Sequence, residues 1–60
     1  MVQFKEVNGS IIVDIRGEYF GYIALRAGKF HFARGSSVRV GASGDDLREI
    51  ATKCDEIAKR

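Results

Sequence analysis

The sequence predicts an α+β fold: an antiparallel β-meander of four to five strands with one C-terminal α-helix packed on one face. Three observations predict it. Apolar and polar residues alternate through much of the first forty positions, seven glycines punctuate the first 44, and the last third switches to a helical period. One domain spans 1–60, with the meander in 1–41 and the helix in 43–60.

VQFKEV at residues 2–7 alternates, and Asn8-Gly9 follows it. Asn-Gly suits a type I′ turn, which needs positive φ at both central residues. A two-residue turn there pairs Phe4 with Val13 and Val2 with Ile15. Those residues and Ile11 then share one face, while Gln3, Lys5 and Asp14 share the other. Gly17-Glu18 as the next turn sets Phe20, Tyr22 and Ala24 beside Ile15, Val13 and Ile11. Arg26-Ala27-Gly28 reads as a three-residue loop with Gly28 left-handed. It pairs Ala24 with Phe30 and Tyr22 with Phe32, keeping both phenylalanines on the core face. Beyond Arg34-Gly35-Ser36-Ser37, Val38-Arg39-Val40 is expected as a short last strand whose facing the pattern does not fix.

The final segment is helical. Leu47, Ile50, Ala51, Cys54, Ile57 and Ala58 recur at i, i+3, i+4, i+7 spacing. Ser43 is a good N-cap, and Asp46 three positions on completes an approximate capping box. Asp45 and Asp46 lie near the positive end of the helix dipole, Lys59 and Arg60 near the negative end. Glu49–Lys53, Asp55–Lys59 and Glu56–Arg60 are spaced as i,i+4 ion pairs.

Sixty residues, 45% of them hydrophobic and 30% charged, make one small domain with a marginal core. Such domains are often held by disulfides, a metal or a second subunit. Cys54 is the only cysteine, so no intrachain disulfide forms, and Cys54 with the single His31 cannot complete a zinc site. Either the core is unusually well packed or self-association contributes. The net charge of +2 is too weak to announce a DNA-binding protein and too positive for an acidic DNA mimic. No apolar run approaches the roughly 18 residues that cross a bilayer. Met1 leads straight into alternating residues, without the pattern of a signal peptide. The expected location is the cytoplasm, with Cys54 reduced and no membrane partner.

GKFHFARGSSVRV, residues 28–40, interleaves aromatics with cations. Phe30 and Phe32 as stacking platforms, with Arg26, Lys29, Arg34 and Arg39 on phosphates, would make a nucleic-acid surface. The register above instead points both phenylalanines under the helix, and the residue order does not match the aromatic RNA-recognition signature. His31 points to the opposite face as a surface residue. Cys54 lies in the apolar stripe, where burial makes a thiol inert. Gly41-Ala42-Ser43-Gly44 leads into Asp45 and Asp46, which would repel a phosphate, and reads as the start of the helix. Asp45, Asp46, Glu49, Asp55 and Glu56 form its solvated face. No catalytic, cofactor-binding or metal-ligating residue emerges, no small-molecule substrate is expected, and the chain does not read as an enzyme.

The helix can cover only one side of the sheet. On the other, the predicted register sets Val7, Ile12, Tyr19, Ile23 and Leu25 alongside Lys5, Asp14 and His31, with Ile12 across from Ile23. A water-facing sheet side should read as polar, and an apolar one marks an interface. Val7, Ile12, Tyr19, Ile23, Leu25 and His31 are the candidate protein interface. A strongly coiled sheet that buries these residues against its own loops is the competing explanation. The expected function is that of a small non-enzymatic protein-interaction module, homodimeric through the uncovered sheet face or an edge strand, or bound to another protein. The alternative is a nucleic-acid-binding protein that uses Arg16, Arg26, Lys29, Arg34 and Arg39.

Two to three hairpin turns followed by SGDDLREIATKCDEIAKR resemble, in size and layout over the whole chain, the short accessory proteins of bacteriophage and prophage genomes. Many of those end in a similar helix of the LREIA kind. The resemblance implies a small cytoplasmic protein that acts by binding a host component or nucleic acid.

Overall fold

The computed structural model describes all sixty residues, Met1–Arg60. Four antiparallel strands, β1 (Val2–Val7), β2 (Ser10–Ile15), β3 (Glu18–Arg26) and β4 (Lys29–Arg34), form one sheet in the order β1-β2-β3-β4. A nine-residue connection, 35–43, crosses one end of the sheet and leads into α1 (Gly44–Ala58), which lies over one face. The structure is thus a four-stranded meander with one C-terminal helix. The helix is not long and apolar enough to cross a membrane.

All three hairpins close through two-residue turns, and both central residues of each have positive φ: Asn8-Gly9, Arg16-Gly17 and Ala27-Gly28. This is the type I′ conformation, whose twist matches that of the strands it joins. Asn8-Gly9 sits where the sequence puts it, with Phe4 opposite Val13 and Val2 opposite Ile15. The second turn is Arg16-Gly17 rather than Gly17-Glu18, because Ile15 pairs with Glu18. The third is Ala27-Gly28 rather than a three-residue loop, since Arg26 pairs with Lys29.

The largest departure lies inside β3. Val13 pairs with Gly21 while the next residue, Asp14, pairs with Tyr19, so Phe20 is the extra residue of a β-bulge. A bulge inserts one position and changes which side chains face which way beyond it. Phe20 and Ile23 both enter the core, and Tyr22 and Ala24, expected there, turn to the uncovered face. Ile11 accordingly pairs with Ile23, and Ile12 with Tyr22. Gly21 makes the bulge possible: a Cβ there would lie 2.7 Å from Cζ of Phe32 and collide with the carbonyl oxygen of Ala33. Leu25 pairs with Phe30 and Ile23 with Phe32, which keeps both phenylalanines on the helix side. The expectation for Phe30 and Phe32 holds, by a different register.

Val2, Ile11, Val13, Ile15, Phe20 and Ile23 from the sheet pack with Ile50 and Ile57 from α1 and with Val40 from the connection. Phe4, Phe30, Phe32, Val38, Ala42 and Cys54 close around them, and the rings of Phe20 and Phe32 stack at 5.3 Å. Val38–Val40 is not a fifth strand. With no neighbouring strand to pair, it runs as irregular chain that turns Val38 and Val40 inward. The helix buries Asp46, Ile50 and Ile57 but leaves Leu47 51% exposed, so its apolar stripe is only partly used.

The capping box forms: the Ser43 hydroxyl accepts from the Asp46 N–H at 3.1 Å, and the Ser43 N–H donates to Asp46 Oδ2 at 2.9 Å. The i,i+4 ion pairs do not. Arg48 pairs with Asp45, and Arg60 reaches back to Glu6 at 2.7 Å, tying the end of the chain to β1. Arg16 donates to the Gly41 carbonyl at 3.0 Å and lies 3.8 Å from Asp46, fastening the connection to the β2–β3 turn.

Two expectations follow. Gly21→Ala destabilises by about 1–3 kcal/mol, whereas Ala27→Asn, which relieves a strained left-handed alanine, stabilises by roughly 0.5–1 kcal/mol; paired thermal melts measure both. The bond from the Ser43 N–H holds the Asp46 carboxyl below its ordinary value of 3.8, with the Ser43 hydroxyl, the N-terminus and Arg16 adding to it against the opposing effect of burial. A depressed carboxylate contributes stability above its unfolded pKa and loses it as pH falls through the folded value. Melts below pH 4 therefore show an acid-side loss that is shallower in Asp46→Asn, starting from a lower plateau at neutral pH.

Candidate functional site

Because α1 covers one side of the sheet, the other side is the larger free surface. Its rows follow from the pairing. Ile12, Tyr22 and Ala33 lie side by side across β2, β3 and β4, and Lys5 adjoins Ile12 on β1. Tyr19 lies beside Asp14 in the next row, and Ala24 beside His31 in the row on the other side. Arg26 and Lys29 close the turn at one end.

At the opposite end, Tyr19 and Tyr22 form one wall of an open cleft of about 720 Å³, whose other wall is the loop Gly35–Val40. Arg34 and Arg39 both line it, with Ser36, Ser37 and Glu18. The Tyr19 ring leans on Gly35, where a Cβ would stand 2.6 Å from Cε2 of the tyrosine. Arg34 donates to the Val38 carbonyl at 3.2 Å, which fixes one guanidinium against the loop and leaves it exposed. The cleft thus combines two phenol rings with two guanidinium groups and one carboxylate.

The residues expected at a protein interface divide. Val7, Ile12, Tyr19 and His31 lie on the uncovered face, with Tyr19 46% exposed and Ile12 half-buried. Ile23 does not: the bulge carries it into the core, where it is 1% exposed. Leu25 also leaves that face, pairing with Phe30 at the rim of the helix side, where it is 58% exposed. Of the expected nucleic-acid contacts, Arg34 and Arg39 meet in the cleft and Arg26 and Lys29 flank the far turn. Arg16 is held at the helix start by Gly41 and Asp46. Tyr22 is the residue that sequence reasoning missed on this face, because an unbroken register put it in the core.

Charge is distributed unevenly between the two layers. Residues 1–43 carry Lys5, Arg16, Arg26, Lys29, Arg34 and Arg39 against Glu6, Asp14 and Glu18. In α1 the balance reverses, with Asp45, Asp46, Glu49, Asp55 and Glu56 against Arg48 and Lys53. The acidic layer lies across the sheet from the uncovered face. His31 and Cys54 are likewise separated, one on the bare face and the other on the helix, so the sheet stands between the histidine and the thiol. Burial, followed by the charge of Asp55, pushes the Cys54 thiol above its ordinary value, which suits packing rather than nucleophilic attack.

No family model, curated protein or solved structure matches the chain.

Proposed function

We propose that the protein is a non-catalytic binding module whose uncovered sheet face takes single-stranded nucleic acid, the second of the two functions its sequence suggests. The observation that carries this reading is the pair Tyr19 and Tyr22 on the bare face, beside Arg34 and Arg39 in one cleft. Exposed aromatic rings stack on unpaired bases of any sequence, and cations around them hold the phosphates. Arg26 and Lys29 extend the positive track to the far end of β4, about 17 Å away at ordinary strand rise. The phenylalanines first considered for stacking serve the core, and the tyrosines take that part instead. A duplex keeps its bases stacked inside and offers this face only phosphates.

The same face supports a second reading, a protein partner. Ile12 lies at its centre between Lys5 and Tyr22, with Val7, Ala24 and Ala33 around it, and apolar surface of this kind favours docking.

Fluorescence anisotropy with a labelled oligothymidylate separates the two. Binding is expected at low salt, with log K falling against log[salt] at a slope of about −3 for four phosphate contacts on a single strand. Tyr22→Ala weakens it by roughly 5- to 100-fold, the loss of one stacked base, and Arg39→Ala lowers the slope by about 0.7. A same-length duplex binds more weakly. Failure to bind at low salt, or a Tyr22→Ala variant that binds as well as the wild type, overturns the nucleic-acid reading in favour of the protein partner.

A further inference from the structure

The apolar stripe of α1 is wider than the monomer uses. Ile50 and Ile57 point into the core, while Leu47, Ala51 and Ala58 stay exposed and Cys54 is half-buried. These four lie on one flank, and the C-terminal part of that flank overhangs β4: Cys54 and Ala58, with Asp55 beside them, share a groove with Gly28, Lys29 and Phe30. The opposite flank, Glu49, Lys53 and Glu56, shares a groove with Phe4 on β1. Lys53 sits 5.4 Å from the Phe4 ring centroid, and the Glu6–Arg60 pair stands on the same side.

The two edges of the sheet are therefore unlike. Charged side chains crowd the β1 edge, which is how proteins discourage strand addition. The β4 edge has an apolar helix flank above it, and every second residue of β4 turns its N–H and C=O away from β3. We propose that β4 and the Leu47–Ala51–Ala58 flank of α1 form a two-fold interface with a second copy of the chain.

The self-complementary fit follows from symmetry. A two-fold axis perpendicular to the sheet pairs β4 with itself in antiparallel sense and continues the meander into eight strands. The same axis puts both helices on the same side of that sheet, with their apolar flanks facing each other. The exposed area argues for a missing neighbour. A monomer of 6.6 kDa is expected to expose about 3,900 Å², whereas this chain exposes 4337 Å². A stable interface covers about 800 Å² per partner, so the seam would have to cover ordinary surface as well as that excess. β4 brings Lys29 and Arg34 to the seam with no carboxylate of its own, a local repulsion that the ladder bonds and the apolar helix flank have to offset. The interface leaves Tyr19 and Tyr22 free but shares the β4 cations Lys29 and Arg34 with the nucleic-acid reading; its own test, the mass of the free protein, involves no nucleic acid.

Sedimentation equilibrium at about 500 µM, well above a micromolar Kd, is expected to give the dimer mass. Leu47→Glu, a change at a position exposed in the monomer, is expected to raise the Kd at least about tenfold with an unaltered circular dichroism spectrum. Ile12→Lys on the uncovered face leaves the dimer mass unchanged. Hydrogen exchange gives a second readout, with β4 amides better protected at high than at low protein concentration. A wild-type monomer at that loading overturns the inference. So does a dimer that survives Leu47→Glu but dissociates with Ile12→Lys, which would move the interface to the sheet face.

Discussion

One inserted residue, Phe20, organises the molecule. Between two-residue turns at Arg16-Gly17 and Ala27-Gly28, an unbroken β3 would send Phe20, Tyr22 and Ala24 to the helix side and Ile23 to water. It would also turn Phe30 and Phe32 outward. The bulge opposite Val13 and Asp14 reverses the alternation partway along the strand. Phe20 and Ile23, three apart, then both fill the core, and Tyr19 and Tyr22, also three apart, both stand on the bare face. Overpacking is avoided only because Gly21 has no Cβ where Phe32 must pass.

That single event also explains what could and could not be read from the sequence. The first four strands, the first hairpin, the helix and its capping box were legible because each rests on a local signal: strict alternation, Asn-Gly, a 3.6 period, and Ser43 with Asp46; the short strand expected at Val38–Val40 did not form. The second and third turns misled, because Arg16 and Ala27 adopt a left-handed conformation that side chains other than Asn or Gly take at a cost. No local rule favours them over the neighbouring choices. The bulge itself is a tertiary compromise between Phe20, Gly21 and Phe32, residues on two strands, and alternation alone cannot register it. The candidate interface inherited these shifts: Ile23 and Leu25 changed sides, while Val7, Ile12, Tyr19 and His31 kept theirs.

The helix gives the protein its asymmetry. Laid across the apolar side, it carries its carboxylates to the far side of the sheet from Tyr19 and Tyr22. The helix also treats the sheet's two margins differently, setting Glu49, Lys53 and Glu56 beside Phe4 of β1 and Cys54, Asp55 and Ala58 beside Phe30 of β4. Neither contrast is visible in the composition. Both come from the rotation of α1 about its own axis, which the burial of Ile50 and Ile57 fixes.

The short turns carry a kinetic consequence. Every strand pairs with its sequence neighbour, so the ribbon zips up through nearby residues with little loop-closure entropy, a topology that favours rapid folding. The roof is the exception. Its contacts with β1 join residues some 40 positions or more apart, and Arg60 meets Glu6 across nearly the whole chain. The roof packs more extensively on β4, its nearest strand in the chain, so only its β1 side depends on long-range closure. A ribbon without its roof would bare Val13, Ile15 and Phe20, apolar surface of the kind through which partly folded chains aggregate.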